Sequence, residues 1–348
     1  MKKNPDGSTF AGSSQNQQKR KEFAPEFDPN SPSDVFSKQI NDLFMARDYK
    51  AIEKIADEAR TKKERMSGGY WKIDDLYEPL STIYADRPAQ ELSDELWKNR
   101  IELLKQWKQA EPESITARIA LSQAYINYAW FARGNGYANT VSKESNELLQ
   151  ERLELAENEL KEARQLKAKC PRWYRNVLFL GMARGMEKER FEKIYEEAIN
   201  SEPNYLQYYL VKSEYLTPKW HGEPGDWQKF VDALPSKIAT LKTDESDLIY
   251  FVVVVNKLKD NSMMQNWGAI SKEKMRKGLA DMETKYGADK LRLNQYAFYT
   301  CIVRDIENGK DTFAKIGDNF DKSVWNEQQF RQMKQQMTNA VEKIAQNR

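Results

Sequence analysis

His221, the only histidine of the chain, stands in the segment PKWHGEPGDW with Glu223 and Asp226 close behind it. An imidazole beside two carboxylates has the groups needed for acid–base work or for holding a metal ion. Against such a site, the chain has no second His, no paired Cys and no HExxH spacing on a helix, which leaves an incomplete, oxygen-rich set. The same residues have an architectural reading. Asp226 would N-cap a helix beginning at Trp227, Gly222 and Gly225 would supply turn dihedrals, and Trp220 and Trp227 would plug a gap between helical hairpins. We take the architectural reading as the expectation and keep an enzyme or small-ligand site at His221, Glu223 and Asp226 as the alternative.

Other chemistry is sparse. Cys170 and Cys301 lie far apart and show no metal-ligand spacing, so free, buried thiols are expected. There is no glycine-rich phosphate loop and no GxSxG elbow, and no cofactor is expected. The aromatic groups Tyr125, Tyr128, Trp130, Phe131 and Tyr205, Tyr208, Tyr209, Tyr215 could anchor a carbohydrate or a peptide, but helical spacing makes them core fillers first.

Charge narrows the partners. The chain has 55 Lys and Arg against 53 Asp and Glu, a formal +2, with charged residues spread along it, which argues against a dedicated nucleic-acid surface. Its longest apolar run, Leu248 to Val255, is too short for a bilayer core of roughly 30 Å. The N-terminus is polar and lacks an apolar h-region, so a cytoplasmic protein is expected, although removal of an upstream signal or anchor would leave the same start.

The elements that must position these residues read as helices. Residues 1–32 are rich in Ser, Asn, Gln, Lys and Pro and read as a disordered polar arm. From 33 to 348 a single helical-repeat domain is expected: N-terminal hairpins over 33–110, a tetratricopeptide-like core with the PKWHGEPGDW corner over 111–240, and C-terminal helices with a cap over 241–348. Ser33 is read as the first N-cap, and one helix is read from Asp289 to Ile306. Val252 to Val255 has strand propensity, but its helical neighbours and the lack of a second strand favour helix. The fold class is therefore all-α, an α-solenoid of degenerate tetratricopeptide-like hairpins.

Repetition appears when the turn prolines Pro112, Pro171 and Pro203 are aligned. Ten residues after them stand the small residues Ser122, Gly181 and Ser213, and Pro171 and Pro203 are 32 residues apart, near the tetratricopeptide period of ~34. The third copy departs from the pattern at Lys212 and Tyr215. On this alignment Thr116, Ile119, Gln123, Arg175, Leu178, Met182, Gln207, Leu210 and Glu214 would line a concave groove for a protein or peptide partner.

The segments LTPKWHGEPGDWQKF, Leu216 to Phe230, and FAKIGDNFDKSVW, Phe313 to Trp325, resemble the two signatures, PKWxGxPGDW and IGDxxDxxVW, of an uncharacterised bacterial family. That family is a domain of unknown function with tetratricopeptide-like helices. The resemblance rests on Pro218, Lys219, Trp220, Gly222, Pro224, Gly225, Asp226 and Trp227, and on Ile316, Gly317, Asp318, Asp321, Val324 and Trp325, while Phe320 stands where a second aromatic such as Trp is expected. It implies a helical scaffold and brings no activity or ligand with it. The expected function is a non-catalytic scaffold that binds a protein or peptide; partner identity and oligomeric state are not written in the sequence.

Overall fold

The computed structural model describes residues 31–83, 93–134, 141–241, 243–258 and 267–346, the side chains of 341–346 excepted. Residues 1–30 of the polar arm lie outside this set, as do 135–140. The described chain is all-α, with neighbouring helices packed together in a manner consistent with a helical solenoid. In chain order the helices are α1 (Pro32–Met45), α2 (Tyr49–Lys62), α3 (Lys72–Ser81), α4 (Asp94–Ala110), α5 (Ile115–Arg133), α6 (Lys143–Gln165), α7 (Pro171–Ala183) and α8 (Lys188–Ser201). They continue as α9 (Leu206–Tyr215), α10 (Asp226–Ala239), α11 (Ser246–Lys257), α12 (Lys272–Tyr286), α13 (Lys290–Ile302), α14 (Ile306–Ile316) and α15 (Glu327–Gln346). The Val-rich run falls inside α11 as helix, and every residue from Leu248 to Val255 is buried.

Local signals set most of the ends. Ser93, Ser114, Ser142 and Ser271 each accept a backbone N–H from the first turn of α4, α5, α6 and α12. Two ends differ from the expectation. The first helix is capped by Ser31 and begins with Pro32, because Pro suits the first helical position and its missing N–H is an orphan there in any case. The helix read from Asp289 to Ile306 is two helices, broken at Val303–Asp305, where Arg304 takes φ 50°.

The residues form two compact units, Met1–Glu53 with Leu76–Leu166 and Lys54–Asp75 with Lys167–Arg348. In the first, α4 packs on α5 and α5 on α6. Ser122 is one of the small residues of the repeat, and it lets α5 approach so closely that its hydroxyl donates to the Ala156 carbonyl of α6 at 3.0 Å. Trp107 of α4 stacks on Tyr49, ring centroids 5.2 Å apart, and Asp94 accepts from Arg152 and Tyr128.

In the second unit each helix from α7 to α13 packs on its successor in hairpin fashion, and α7–α9, α9–α11 and α11–α13 also pack directly on one another. A strap, Lys63 to Asp75, lies against the N-terminal ends of these four alternate helices. Asp74 binds Arg172 at the start of α7, the Trp71 indole donates to the Asn204 carbonyl before α9, Arg65 pairs with Glu245 before α11, and Ser67 donates to Asp289 before α13. Gly68 and Gly69, at φ 77° and 78°, turn the strap back so that Arg65 and Trp71 make an isolated antiparallel bridge. Arg65 is held over the Trp71 ring at 4.4 Å and the Tyr286 ring at 5.4 Å. The chain closes on an apolar cluster of Ala297, Phe313, Ile316, Trp325, Phe330 and Met337, with Gly317 at φ 61° ending α14.

Candidate functional site

The corner between α9 and α10 is a tight turn built on backbone bonds. His221 N and Gly222 N donate to the Tyr215 and Thr217 carbonyls, and Trp220 N also donates to Thr217. Gly222 is obligatory, since a Cβ there would lie 2.1 Å from the Leu216 carbonyl oxygen. The His221 ring stacks on Tyr215, centroids 4.7 Å apart, and its Nε2 lies 2.8 Å from the Met182 carbonyl oxygen. A carbonyl only accepts, so Nε2 carries the proton and the imidazole acts as a donor that ties the corner to the end of α7. Glu223 is exposed, and the Asp226 carboxylate accepts from Glu223 N at 3.0 Å and pairs with Lys229 at 3.2 Å. The Glu223 N–H, then Lys229, hold the Asp226 carboxyl below its ordinary range. The imidazole bonds to neither carboxylate.

Asp226 is not the N-cap. Gly225, at φ 96°, holds that position and Asp226 opens α10, its side chain directed backwards to Glu223 instead of forwards to the first turn. Of the two tryptophans, Trp227 is the buried plug, packed edge-on against Trp267 at 5.6 Å. Trp220 stays half-buried and donates to Glu214 at 3.0 Å. The second segment, Phe313 to Trp325, is also held by packing and hydrogen bonds. The Gly317 carbonyl accepts from Lys334, whose ammonium lies 3.7 Å from the exposed Asp318, and Trp325 is buried among Phe298, Phe313 and Phe330.

Of the nine expected groove residues, five are in the core. Thr116, Ile119 and Gln123 of α5 are buried, Thr116 donating to Glu53 and Gln123 to Asn127, and Leu178 and Met182 of α7 are buried as well. Counting from the turn proline puts these residues on helices, but on a face that other side chains cover. Arg175, Gln207, Leu210 and Glu214 keep partly open side chains. Arg175 lies over the Phe179 ring and donates to Asn176, and Glu214 is engaged by both Trp220 and Lys257. The tyrosines behave as core fillers: Tyr205, Tyr208, Tyr209 and Tyr215 are buried, with Tyr208 and Tyr209 donating to the Pro171 and Pro203 carbonyls.

The departure of the third repeat copy at Lys212 has a physical cause. Its ammonium pairs with Glu192 and sits 5.2–5.5 Å from the rings of Phe191, Tyr195 and Tyr215, an aromatic enclosure inside the unit. Burial pushes the Lys212 ammonium below its ordinary value, and the Glu192 bond opposes that. Lys257 is equally buried and reaches Glu214 at 2.7 Å. Neither lysine is foreseeable as an internal ion pair from its apolar neighbours in sequence. Cys170 is buried and Cys301 half-buried, both as free thiols, and burial pushes the Cys301 thiol up to about 12, far from a reactive thiolate. Among the described residues no group of three or more His, Cys, Asp or Glu could hold a metal ion, and no helix is long and apolar enough to cross a membrane.

Compared with protein-family models, with curated proteins and with solved structures, the chain gives no match.

Proposed function

We propose that the chain is a non-catalytic helical scaffold that holds a peptide or a segment of another protein along α7 and α9. The observation that supports this reading is the direct packing of alternate helices from α7 to α13, with Arg175 of α7 and Gln207 and Leu210 of α9 partly open at repeat-equivalent or adjacent positions. Stacked hairpins of this kind make extended surfaces that suit elongated partners. The corner lends no comparable support to an enzyme, because its imidazole is committed to a main-chain carbonyl and the Asp226 carboxylate to the Glu223 N–H and Lys229. We read both the corner and the Gly317–Trp325 segment as devices that fix helix ends.

Site-specific photo-crosslinking in the native host tests this reading. A benzophenone side chain at Gln207 or Leu210 should trap a discrete protein or peptide partner, and the same group at the exposed Lys193 or Glu197 of α8 should not. Equal trapping from α8, or none from either helix, would count against it.

A further inference from the structure

We infer that the second unit carries a binding site for a small apolar monocarboxylate beside Trp267. A cavity of about 470 Å³ opens there. Trp267, Ile270, Ile302 and Val303 supply its apolar walls, and Lys272 and Arg304 supply two cations. The volume falls within the ~300–1,000 Å³ of small-molecule sites. This site is independent of the α7–α9 surface, so either reading can fail alone.

Two observations converge on the ligand class. Trp267 is only 5% exposed. The ring itself is fixed edge-on between Trp227 at 5.6 Å and Tyr299 at 6.4 Å, so the buried corner tryptophan braces this wall.

The second observation is the charge. Lys272 and Arg304 are exposed and neither makes an ion pair among the described residues. The acids next to them are engaged elsewhere: Glu273 pairs with Lys277 at 2.7 Å, and Asp305 accepts both bonds of the Asn308 amide at 3.0 and 3.1 Å. Among the described residues the lining therefore offers positive charge and no carboxylate.

Arg304 stands at the break between α13 and α14, which brings it to the cavity. An apolar body against Trp267, Ile270, Ile302 and Val303, with a single carboxylate towards Lys272 and Arg304, meets every one of these features. A polyanion such as a nucleotide would set its charges against apolar walls.

Isothermal titration of the full chain with octanoate, octan-1-ol and octylammonium tests the site. Octanoate should bind saturably at one per chain, with octanol at least tenfold weaker and octylammonium without detectable binding. Lys272→Gln combined with Arg304→Gln should weaken octanoate at least tenfold and leave the thermal melt unchanged, since both side chains are exposed. Gly268, on the same lining, has open space around a Cβ, so Gly268→Leu should fold normally and abolish binding by filling the cavity. The site is refuted by octanol binding as tightly as octanoate, by undiminished affinity in the double variant or in Gly268→Leu, or by no saturable octanoate binding.

Discussion

Arg172 Nη1 lies 2.7 Å from Asp74 Oδ1, across 98 positions of sequence, with both side chains less than a tenth exposed. Tyr205 donates its hydroxyl to the same carboxylate oxygen, so one buried acid joins the strap to the starts of α7 and α9. Removing one partner of a buried pair leaves an uncompensated charge, and Asp74→Ala should therefore cost about 3–5 kcal/mol. Replacing both, Asp74→Leu with Arg172→Met, should recover most of that loss in urea unfolding.

Asp289 carries the strap's other end and gives it a pH dependence. It accepts Arg292 N at 2.8 Å and Ser67 Oγ at 3.5 Å, and burial, reinforced by Asp321, raises its carboxyl above the ordinary 3.8 despite those bonds. A raised folded value means the folded state holds the proton more tightly. The favourable contribution is complete below 3.8 and is lost as pH rises through the folded value. Asp289→Asn keeps an N-cap acceptor without the charge. It should melt higher than the parent at neutral pH, with the difference vanishing below about pH 3.8, and melts across that range check the sign.

These two acids also show where sequence stops informing. Helix ends held by Ser93, Ser142 and Ser271 were legible because a cap is a local event within three residues. The strap was not. A Gly-Gly pair such as Gly68–Gly69 signals a turn, but nothing nearby says that Asp74 will meet Arg172 or that Arg65 will meet Glu245, 180 positions away. The split of α13 from α14 was hidden for another reason, since the left-handed residue is Arg304 and carries no glycine to announce it. At the candidate surface, the proline count places residues on α5, α7 and α9, but the cover over Thr116 and Leu178 is tertiary and has no period in the sequence.

Arg292 is fully buried, and its isolation has a consequence for stability. Nη1 donates to Gln295 at 2.8 Å and the guanidinium lies 4.5 Å from the Tyr70 ring, but Nε and Nη2 have no partner among the described residues. Burial alone pushes the guanidinium down to about 9. A desolvated cation without a carboxylate is costly, so Arg292→Met should raise stability, by about 1–4 kcal/mol if it follows other buried charges replaced by apolar groups. The midpoint of urea unfolding measures this directly. A fall in the midpoint would mean that the Tyr70 stack outweighs the desolvation.

The corner separates a structural from a catalytic histidine by one set of variants. Trp227 is 2% exposed and packed on Trp267, so Trp227→Ala should cost about 3–5 kcal/mol. Gly222→Ala should also destabilise strongly, because its Cβ would meet the Leu216 carbonyl oxygen at 2.1 Å and a backbone atom cannot yield as a flexible side chain does. His221 is exposed and contributes one bond to Met182 and one stacked face to Tyr215, so His221→Ala should shift the melt slightly. His221→Gln, which can still donate to the Met182 carbonyl, should restore that small loss. On the proposed scaffold function, partner trapping from Gln207 should survive both His221 variants. If trapping were lost in His221→Ala and in His221→Gln while the melt stayed put, the imidazole would have a role in function that its bond to Met182 does not explain.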